Sequence, residues 1–178
     1  MSRVASRSAS DPIVVVVMGV TGAGKTTVGR LLAAQVGASF VDGDDLHTDA
    51  ARAKMGVGVA LTDDDRWSWL DRIGETLATG LAERRSTIIA CSALRKVYRD
   101  RLRAAVGPAL RFVYLAATPE AMRARVASRP GHYMPPSLVD SQFATLEPPS
   151  GEGDVIEIGA ESDVTTSVPL LAALLRAE

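Results

Sequence analysis

The chain has 178 residues, 47% of them hydrophobic, and its 20 basic and 21 acidic residues give a formal net charge of −1. This length fits one domain with a substantial core, and the interspersed charges argue against a nucleic-acid partner, which would require a clustered basic excess. The single cysteine, Cys91, cannot form an intrachain disulfide, and no apolar run approaches the roughly 20 residues of a membrane span. We therefore expect a cytoplasmic protein with a small-molecule partner, no nucleic acid and no membrane association.

The first residues differ in composition from the rest of the chain. Residues 1–11 are rich in Ser and Arg and contain no apolar block, which argues against a secretory signal. We expect a disordered N-terminal tail over 1–11, with an organelle transit segment as the alternative. A single domain over 12–178 should follow.

From residue 12 onward, strand and helix patterns alternate, which predicts a parallel sheet with helices on both faces. The first strand, 13–18, is apolar without polar alternation, as a central buried strand should be. Four further strands are predicted at 39–42, 87–91, 110–115 and 154–158. Helices are predicted behind a glycine-rich loop as far as Val36, from Thr62 to Leu81, at 94–105, from Pro119, at 137–145 and around 168–175, with a polar, Gly-rich stretch at 43–61.

The helix beginning near Thr62 has the clearest pattern. Thr62 and Asp65 resemble a capping box, in which each side chain binds a backbone N–H group of the other residue. Trp69 lies roughly opposite the apolar face of this helix, so we expect it at the surface, in a dimer contact or in a pocket wall. The apolar face itself carries Trp67, Leu70, Ile73, Leu77 and Leu81, which places Trp67 in the core.

The loop after the first strand carries the strongest motif. Residues 19–26 read Gly-Val-Thr-Gly-Ala-Gly-Lys-Thr, and this P-loop lies between an apolar strand and an amphipathic helix, as the motif requires. Its backbone N–H groups and the start of the helix predict a site for the phosphates of ATP. Lys25 should reach the β- and γ-phosphates, and the hydroxyl of Thr26 should ligate Mg²⁺. The predicted nucleotide-binding residues are Gly19, Val20, Thr21, Gly22, Ala23, Gly24, Lys25, Thr26 and Thr27.

The motif leaves the phosphate acceptor open, but two classes of P-loop protein fit poorly. A GTP-binding switch would carry an Asn-Lys-x-Asp segment, which is absent, and the third strand ends without the carboxylate of a motor ATPase. The size and the five-strand pattern favour a small-molecule or nucleotide kinase.

In such kinases, the acid that handles the acceptor follows the second strand, and Asp42 and Asp44 occupy that place. Asp42 is predicted to hold Mg²⁺ or its water, and Asp44 to orient or deprotonate the acceptor hydroxyl. The alternative is that this Asp-Gly-Asp is only a turn.

Four further segments resemble the gluconate kinases, of the thermoresistant gluconokinase type. They are 42–47 (Asp-Gly-Asp-Asp-Leu-His), 61–70 (Leu-Thr-Asp-Asp-Asp-Arg-Trp-Ser-Trp-Leu), 91–103, which begins Cys-Ser-Ala-Leu-Arg, and 129–133 (Arg-Pro-Gly-His-Tyr) with 141–148. The resemblance covers about residues 13–160. It implies transfer of the ATP γ-phosphate to the 6-hydroxyl of D-gluconate. It also implies a three-layer α/β P-loop fold of the nucleoside and shikimate kinase type, and a homodimer.

Gluconate is a monoanion with a row of hydroxyl groups, so its site needs at least one cation and several mixed hydrogen-bonding groups. Arg66 is the first candidate for the carboxylate, because a guanidinium group forms bidentate pairs with carboxylates. It also resembles, by position, the carboxylate-binding arginine of shikimate kinases. Arg99 and Arg103 are second candidates, although the basic run 95–103 could instead be a solvated face. The candidates for the polyol are Asp44, His47, Lys54, Gln142 and Glu147, of which His47 could instead cap a helix or lie exposed.

Residues 123–145 are predicted to form a small lid, because a helix ending in arginines meets a break rich in Pro and Gly. By resemblance to the lids of small kinases, Arg125 and Arg129 should close over the phosphates, stabilise the transferred group and exclude water. The alternative is that both arginines face solvent on a helix. Cys91 is expected to be a small buried residue and not a nucleophile.

Two rival functions remain open on the sequence. One is another small-molecule kinase of this fold, such as a shikimate kinase, although those enzymes carry a glycine triplet after the third strand, where this chain has Ser92-Ala93-Leu94. The other is a nucleotide-binding module without transferase activity. The presence of Lys25, Thr26, Asp42 and Asp44 argues against the second rival.

Overall fold

The computed structural model describes residues 11–57, 59, 61–128 and 136–177. Within them, the five strands are β1 (Val14–Met18), β2 (Ser39–Asp42), β3 (Thr87–Ala90), β4 (Leu110–Ala116) and β5 (Val155–Gly159). The helices are α1 (Lys25–Val36), α2 (Asp49–Gly56), α3 (Asp63–Ala82), α4 (Lys96–Val106), α5 (Pro119–Ala127), α6 (Pro136–Thr145) and α7 (Val164–Ala177). A 3₁₀ turn at Gly43–Leu46 follows β2.

The strands form one parallel sheet in the order β2-β3-β1-β4-β5. The predicted five-stranded parallel α/β sheet is therefore confirmed. The apolar strand β1 lies at the centre, paired with β3 on one side and β4 on the other, which explains why all five of its residues are buried. Because the strands are parallel, all the loops at their carboxyl ends lie along one edge of the sheet, where open α/β sheets bind ligands.

The core has one apolar cluster on each face of the sheet. Successive β1 side chains point to opposite faces, so Val15 and Val17 join one cluster, while Val14, Val16 and Met18 join the other. The first cluster packs against α1, α5, α6 and α7, and the second packs against α3 and α4. In this three-layer arrangement, helices α3 and α4 of the second face support one side of the candidate site.

Helix α2 was not predicted, because the stretch 43–61 was interpreted only as polar and Gly-rich. Thr48 caps this helix by accepting a hydrogen bond from the N–H group of Ala51, which is also the only helix residue with a buried side chain among those described. A helix with one buried residue has no apolar stripe for a pattern search to detect.

Trp69 is more deeply buried than the sequence pattern suggested, and Trp67 packs at the edge of the same core cluster. Trp69 is 3% exposed and belongs to the core, whereas Trp67 is only partly buried. The guanidinium group of Arg101 covers the Trp67 ring at 5.1 Å, so α4 shields it from one side. The capping box of Thr62 and Asp65 is confirmed. Within the described residues, no helix is long and apolar enough to cross a membrane.

Candidate active site

The P-loop connects β1 to α1 through two glycines with left-handed backbone. Gly22 has a φ of 79° and Gly24, directly before α1, has a φ of 96°, values that L-residues rarely adopt. A Cβ atom on Gly22 would also lie 3.1 Å from Cγ2 of Val126 in α5. The loop therefore needs glycine at these positions in order to curl around the start of α1.

Lys25 is the first residue of α1, and its Nζ donates a 3.0 Å hydrogen bond to the carbonyl oxygen of Val20 in the same loop. Burial lowers the pKa of Lys25, and the nearby carboxylates of Asp44 and Asp42 oppose that shift. The ammonium group is thus held against the loop and faces two acids across the edge of the sheet.

Thr26 and the two aspartates after β2 form one polar cluster. The hydroxyl of Thr26 donates to Oδ2 of Asp42 at 3.0 Å, while Oδ1 of Asp42 accepts from the backbone N–H of Asp44 at 3.1 Å. Asp42 therefore caps the 3₁₀ turn and faces the P-loop at the same time. The side chain of Asp44 is 86% exposed at this edge, which leaves its carboxylate accessible to a ligand.

His47 is buried, not exposed, and it is the C-cap of the 3₁₀ turn, where its backbone N–H donates to the carbonyl oxygen of Asp44. Its ring stacks on Trp69 with centroids 4.3 Å apart, and its Nε2 lies 3.9 Å from Oδ1 of Asp44. Burial lowers its pKa, so the ring is neutral near pH 7. Among the described side chains, its Nδ1 is the one buried polar atom without a hydrogen-bond partner. Trp69 is itself fixed, because its Nε1 donates to the carbonyl oxygen of Gly43 at 2.6 Å.

Arg66 lies one turn into α3, next to Tyr98 of α4. Its Nη1 donates to the Tyr98 hydroxyl at 3.2 Å and lies 3.5 Å from Oδ1 of Asp63. Tyr98 donates to the same Asp63 carboxylate, and Arg95, at the start of α4, contacts its other oxygen. These four side chains form a charged cluster where α3 and α4 begin. Hydrogen bonding from Tyr98, aided by both arginines, lowers the pKa of Asp63, which is therefore ionised.

Lys54 is joined to a different acid of α3. Its Nζ lies 2.6 Å from Oδ1 of Asp65, the acid of the capping box. This contact connects the end of α2 to the start of α3. Lys54 is 44% exposed, and its partner Asp65 directly precedes Arg66 in α3.

Arg99 and Arg103 are placed differently from our prediction of substrate contacts. Arg99 is 0% exposed, and its guanidinium group donates to the carbonyl oxygens of Ala93, Leu94 and Glu147 and to both carboxylate oxygens of Glu152. These contacts use every N–H donor that a guanidinium group has. Arg103 is bound to Asp100, Glu152 and Asp154. Both arginines fasten the 147–154 loop to α4. Arg99 has neither exposed surface nor an unused donor for a substrate, whereas Arg103 is 23% exposed.

Glu147 and Gln142 also have partners within the protein. Oε2 of Glu147 accepts from the backbone N–H of Lys96 at 2.6 Å, which caps α4. Oε1 of Gln142 accepts from the N–H of Thr21 at 2.6 Å. This second contact joins α6 directly to the P-loop, so Gln142 lies on the nucleotide side of the site in this conformation.

Arg125 lies behind the P-loop. Its guanidinium group donates to the carbonyl oxygens of Gly22 and Ala160 at 3.1–3.3 Å, which connects α5 to the P-loop and to the β5–α7 loop. Arg125 lines a cavity of about 230 Å³, together with the P-loop glycines and residues 158–164. Arg129, its predicted partner in the lid, lies outside the described residues.

The sequence interpretation missed two contributors to this region. One is the β5–α7 loop, with Gly159, Ala160 and Ser162 at the cavity. The other is the acid–arginine pair of Asp63 and Arg95. The β5–α7 loop carries no motif, yet its position after a strand was a usable signal, because parallel strands present all their following loops at the same edge. Cys91 is buried as expected, and burial raises the pKa of its thiol to about 12, which leaves it protonated.

Comparison with known proteins identifies the family. Residues 14–149 match a protein-family model described as an AAA domain. A gluconokinase from Gluconobacter oxydans is 41% identical over 150 residues, which cover 84% of each chain. The crystal structure of a gluconokinase from Sinorhizobium meliloti is 40% identical and superposes with a TM-score of 0.84, covering 95% of this chain and 93% of that one.

The chain belongs to the gluconokinase family. This membership confirms the resemblance seen in the sequence motifs and the P-loop kinase fold. A shikimate kinase from Acinetobacter baumannii, the predicted rival class, is 20% identical with a TM-score of 0.55, covering 90% of this chain and 91% of that one. That likeness shows a shared fold only. In this chain, the segment after β3 places Arg95 at the start of α4, beside Arg66 of α3.

Proposed function

We propose that this protein transfers the γ-phosphate of ATP to the 6-hydroxyl of D-gluconate, giving 6-phospho-D-gluconate and ADP. The observation that supports this most directly is the arrangement at one edge of the sheet. A P-loop with Lys25, an exposed acid at Asp44 and a guanidinium group at Arg66 lie along this edge in a chain of the gluconokinase family. These are the groups needed for a phosphate donor, a hydroxyl acceptor and an acceptor carboxylate.

On the donor side, residues 19–27 would bind the phosphates of ATP through backbone N–H groups and through Lys25. The cavity behind the loop would take the nucleoside, with Arg125 and the β5–α7 loop as its walls. Lys25 would exchange its contact with the Val20 carbonyl for the phosphates. Binding there would stabilise the charge that develops during transfer, which is the main task of a protein in phosphoryl transfer.

Mg²⁺ fits the residues next to the P-loop. Among the described residues, no group of three or more His, Cys, Asp or Glu side chains could hold a metal alone. Mg²⁺ commonly binds through one or two protein oxygens, with phosphates and waters completing its shell. Thr26 and Asp42, whose side chains meet at 3.0 Å, would be those protein ligands. When bound, the ion would neutralise charge on the phosphates and align them.

On the acceptor side, Asp44 would accept a hydrogen bond from the 6-hydroxyl and take its proton as transfer proceeds. Its exposed carboxylate lies at the same edge as Lys25, where its charge opposes the lowering of the Lys25 pKa by burial. Arg66 would bind the carboxylate at the far end of the substrate, and His47 and Lys54 would contact the hydroxyl groups between them. Gln142 and Glu147 would need to exchange their present partners to do so.

The lid residues would close the site. Arg125 and Arg129 would lie near the phosphates, and residues 123–145 would exclude the water that otherwise hydrolyses ATP. The contact from Gln142 to Thr21 already joins α6 to the P-loop, which supports a lid that responds to nucleotide. We also propose a homodimer in the cytoplasm, and light scattering of the purified protein would test the dimer.

A coupled assay of ADP release, with D-gluconate, other sugar acids, shikimate and nucleoside monophosphates as acceptors, tests the function. We expect gluconate to stimulate ADP release well above the rate without acceptor, and the product to carry phosphate at its 6-position. Strong stimulation by another acceptor with none by gluconate would contradict the choice of substrate and keep the kinase class. Absence of stimulation by every acceptor would contradict both.

A further inference from the structure

Two arginines at the start of α3 and α4 flank the same aromatic ring. The guanidinium carbon of Arg66 lies 5.8 Å from the centre of the Tyr98 ring, and that of Arg95 lies 5.5 Å from it. Both distances are within the range of cation–π contact. The two groups are therefore held close together although they carry like charge, so something must offset their repulsion.

Asp63 supplies that offset. Its Oδ2 accepts from Nη1 of Arg95 at 2.5 Å, and its Oδ1 accepts from the Tyr98 hydroxyl at 2.5 Å with Nη1 of Arg66 3.5 Å away. One carboxylate thus holds two arginines and the tyrosine between them. Glu147 also attracts Arg95, more weakly, because its Oε1 lies 3.7 Å from Nε of Arg95. Its other carboxylate oxygen caps α4.

The hydrogen-bonding capacity of these arginines is only partly used. Within the part of the chain that the structure describes, Arg66 and Arg95 each donate hydrogen bonds through Nη1 alone. Their side chains are 30% and 37% exposed. Arg99, four residues beyond Arg95, is fully buried and donates through all three of its nitrogens. Positioned guanidinium groups with unused donors at the surface of a site are suited to a planar anion.

His47 links this cluster to the phosphoryl-transfer end of the site. Its Nε2 lies 3.9 Å from Oδ1 of Asp44, and burial lowers its pKa, with smaller contributions from the charges of Arg52 and Arg66. His47 is therefore near both Asp44 and Arg66, and Arg66 meets Arg95 at the Tyr98 ring. A chain-like sugar acid whose terminal hydroxyl meets Asp44 would extend its carboxylate toward the arginines.

We propose that Arg95 is a second substrate-binding residue, which grips the acceptor's carboxylate together with Arg66, and that Asp63 and Tyr98 position the two guanidinium groups. The inference rests on the proposed function, since it takes the acceptor to be a sugar acid. It makes the carboxylate a requirement for tight binding, because the unused N–H donors of both guanidinium groups pair best with a negatively charged acceptor. A neutral polyol of the same length would gain nothing from Arg95.

Steady-state kinetics of Arg95→Met, Arg95→Lys and Asp63→Asn test this role. We expect Arg95→Met to raise the KM for gluconate about 10- to 100-fold, as for loss of a charge-assisted hydrogen bond, while the KM for ATP stays within twofold. Arg95→Lys should recover part of the loss because it restores the charge without the planar fork. Asp63→Asn should raise the gluconate KM by a smaller factor. Competitive inhibition by D-glucitol, the neutral analogue, should change less than twofold in all three variants.

Arg101→Met is the matched control, because Arg101 is a partly exposed arginine of the same helix that pairs with an acid of α3, Asp71, at 2.6 Å. The proposal is overturned if Arg95→Met and Arg101→Met have the same gluconate KM. It is equally overturned if Arg95→Met weakens inhibition by D-glucitol by the same factor as it raises the KM for gluconate. A third contrary result would be a rise in the KM for both ATP and gluconate together with a fall in thermal stability that Arg95→Lys does not restore. These outcomes differ from failure of the proposed function, in which the unaltered protein itself would not phosphorylate gluconate.

Discussion

Replacing Arg99 by methionine should destabilise the protein strongly, because this arginine is fully buried and bound on every side. The substitution keeps much of the aliphatic volume but leaves Glu152 with Arg103 as its remaining partner. It also removes the donor that Arg99 gives to the carbonyl oxygens of Ala93 and Glu147, while that of Leu94 keeps the N–H of Glu147. Ala93 has a φ of 44°, which is unfavourable for a residue with a side chain. Removing one partner of a buried ion pair costs about 3–5 kcal/mol.

For a chain of this size, about 2–4 °C is lost per kcal/mol, so the melting temperature should fall by about 6–20 °C. Thermal unfolding followed by circular dichroism would measure this change. Arg101→Met is again the control, since its exposed pair with Asp71 and its contact with the Trp67 ring each contribute about 1 kcal/mol or less. At a temperature where the Arg99 variant remains folded, its KM for gluconate should stay within about threefold of the unaltered protein.

The structural role of Arg99 would be refuted if Arg99→Met melted within about 2 °C of Arg101→Met while its KM for gluconate rose tenfold or more. That result would return Arg99 to the substrate site, where the sequence interpretation had placed it. If Arg99→Met lost both stability and gluconate affinity, the variant Glu152→Gln would separate the two effects. This substitution disturbs the same buried cluster and should reproduce the loss of stability alone.

Three further predictions concern acids of the site and its frame. Asp44→Asn should lower kcat at least about 100-fold while the KM for ATP changes little, and a kcat within twofold of the unaltered protein would exclude Asp44 as the base. Asp42→Asn should raise the Mg²⁺ concentration that gives half-maximal activity, because it weakens the oxygen pair formed with Thr26; an unchanged Mg²⁺ dependence would remove Asp42 from the metal site. Hydrogen bonds from Lys54 and Thr62 lower the pKa of Asp65 from 3.8 to about 2, so its ionised form stabilises the fold above pH 3.8 and that contribution is lost as pH falls through 2. Asp65→Asn should therefore lower the melting temperature at pH 7, and the difference should shrink between pH 4 and pH 2; a constant difference over that range would show that the charge of Asp65 is not responsible.

The sequence alone determined the features that depend on local chemistry. The P-loop glycines, the apolar strand β1 and the capping box of Thr62 and Asp65 were all found from spacing, because each is defined by residues only a few positions apart. The parallel sheet followed from the alternation of strand and helix patterns. The family motifs then narrowed the acceptor to a sugar acid, which the comparison with gluconokinases supports.

Tertiary structure decided which charged and aromatic side chains remain accessible at the site and which are held by contacts within the protein. Arg95 and Arg99 are four residues apart in one basic run, yet one keeps unused donors at the site while the other is buried against the 147–154 loop. Trp69 is buried because the 3₁₀ turn packs on it, with Gly43 accepting its Nε1–H and the His47 ring stacked on it. The hydrogen-bond partners responsible lie 26 to 53 residues away along the chain. Periodicity reports which face of a helix is apolar, but a distant ion pair or a packed ring depends on how the elements meet in space, and only the fold determines that.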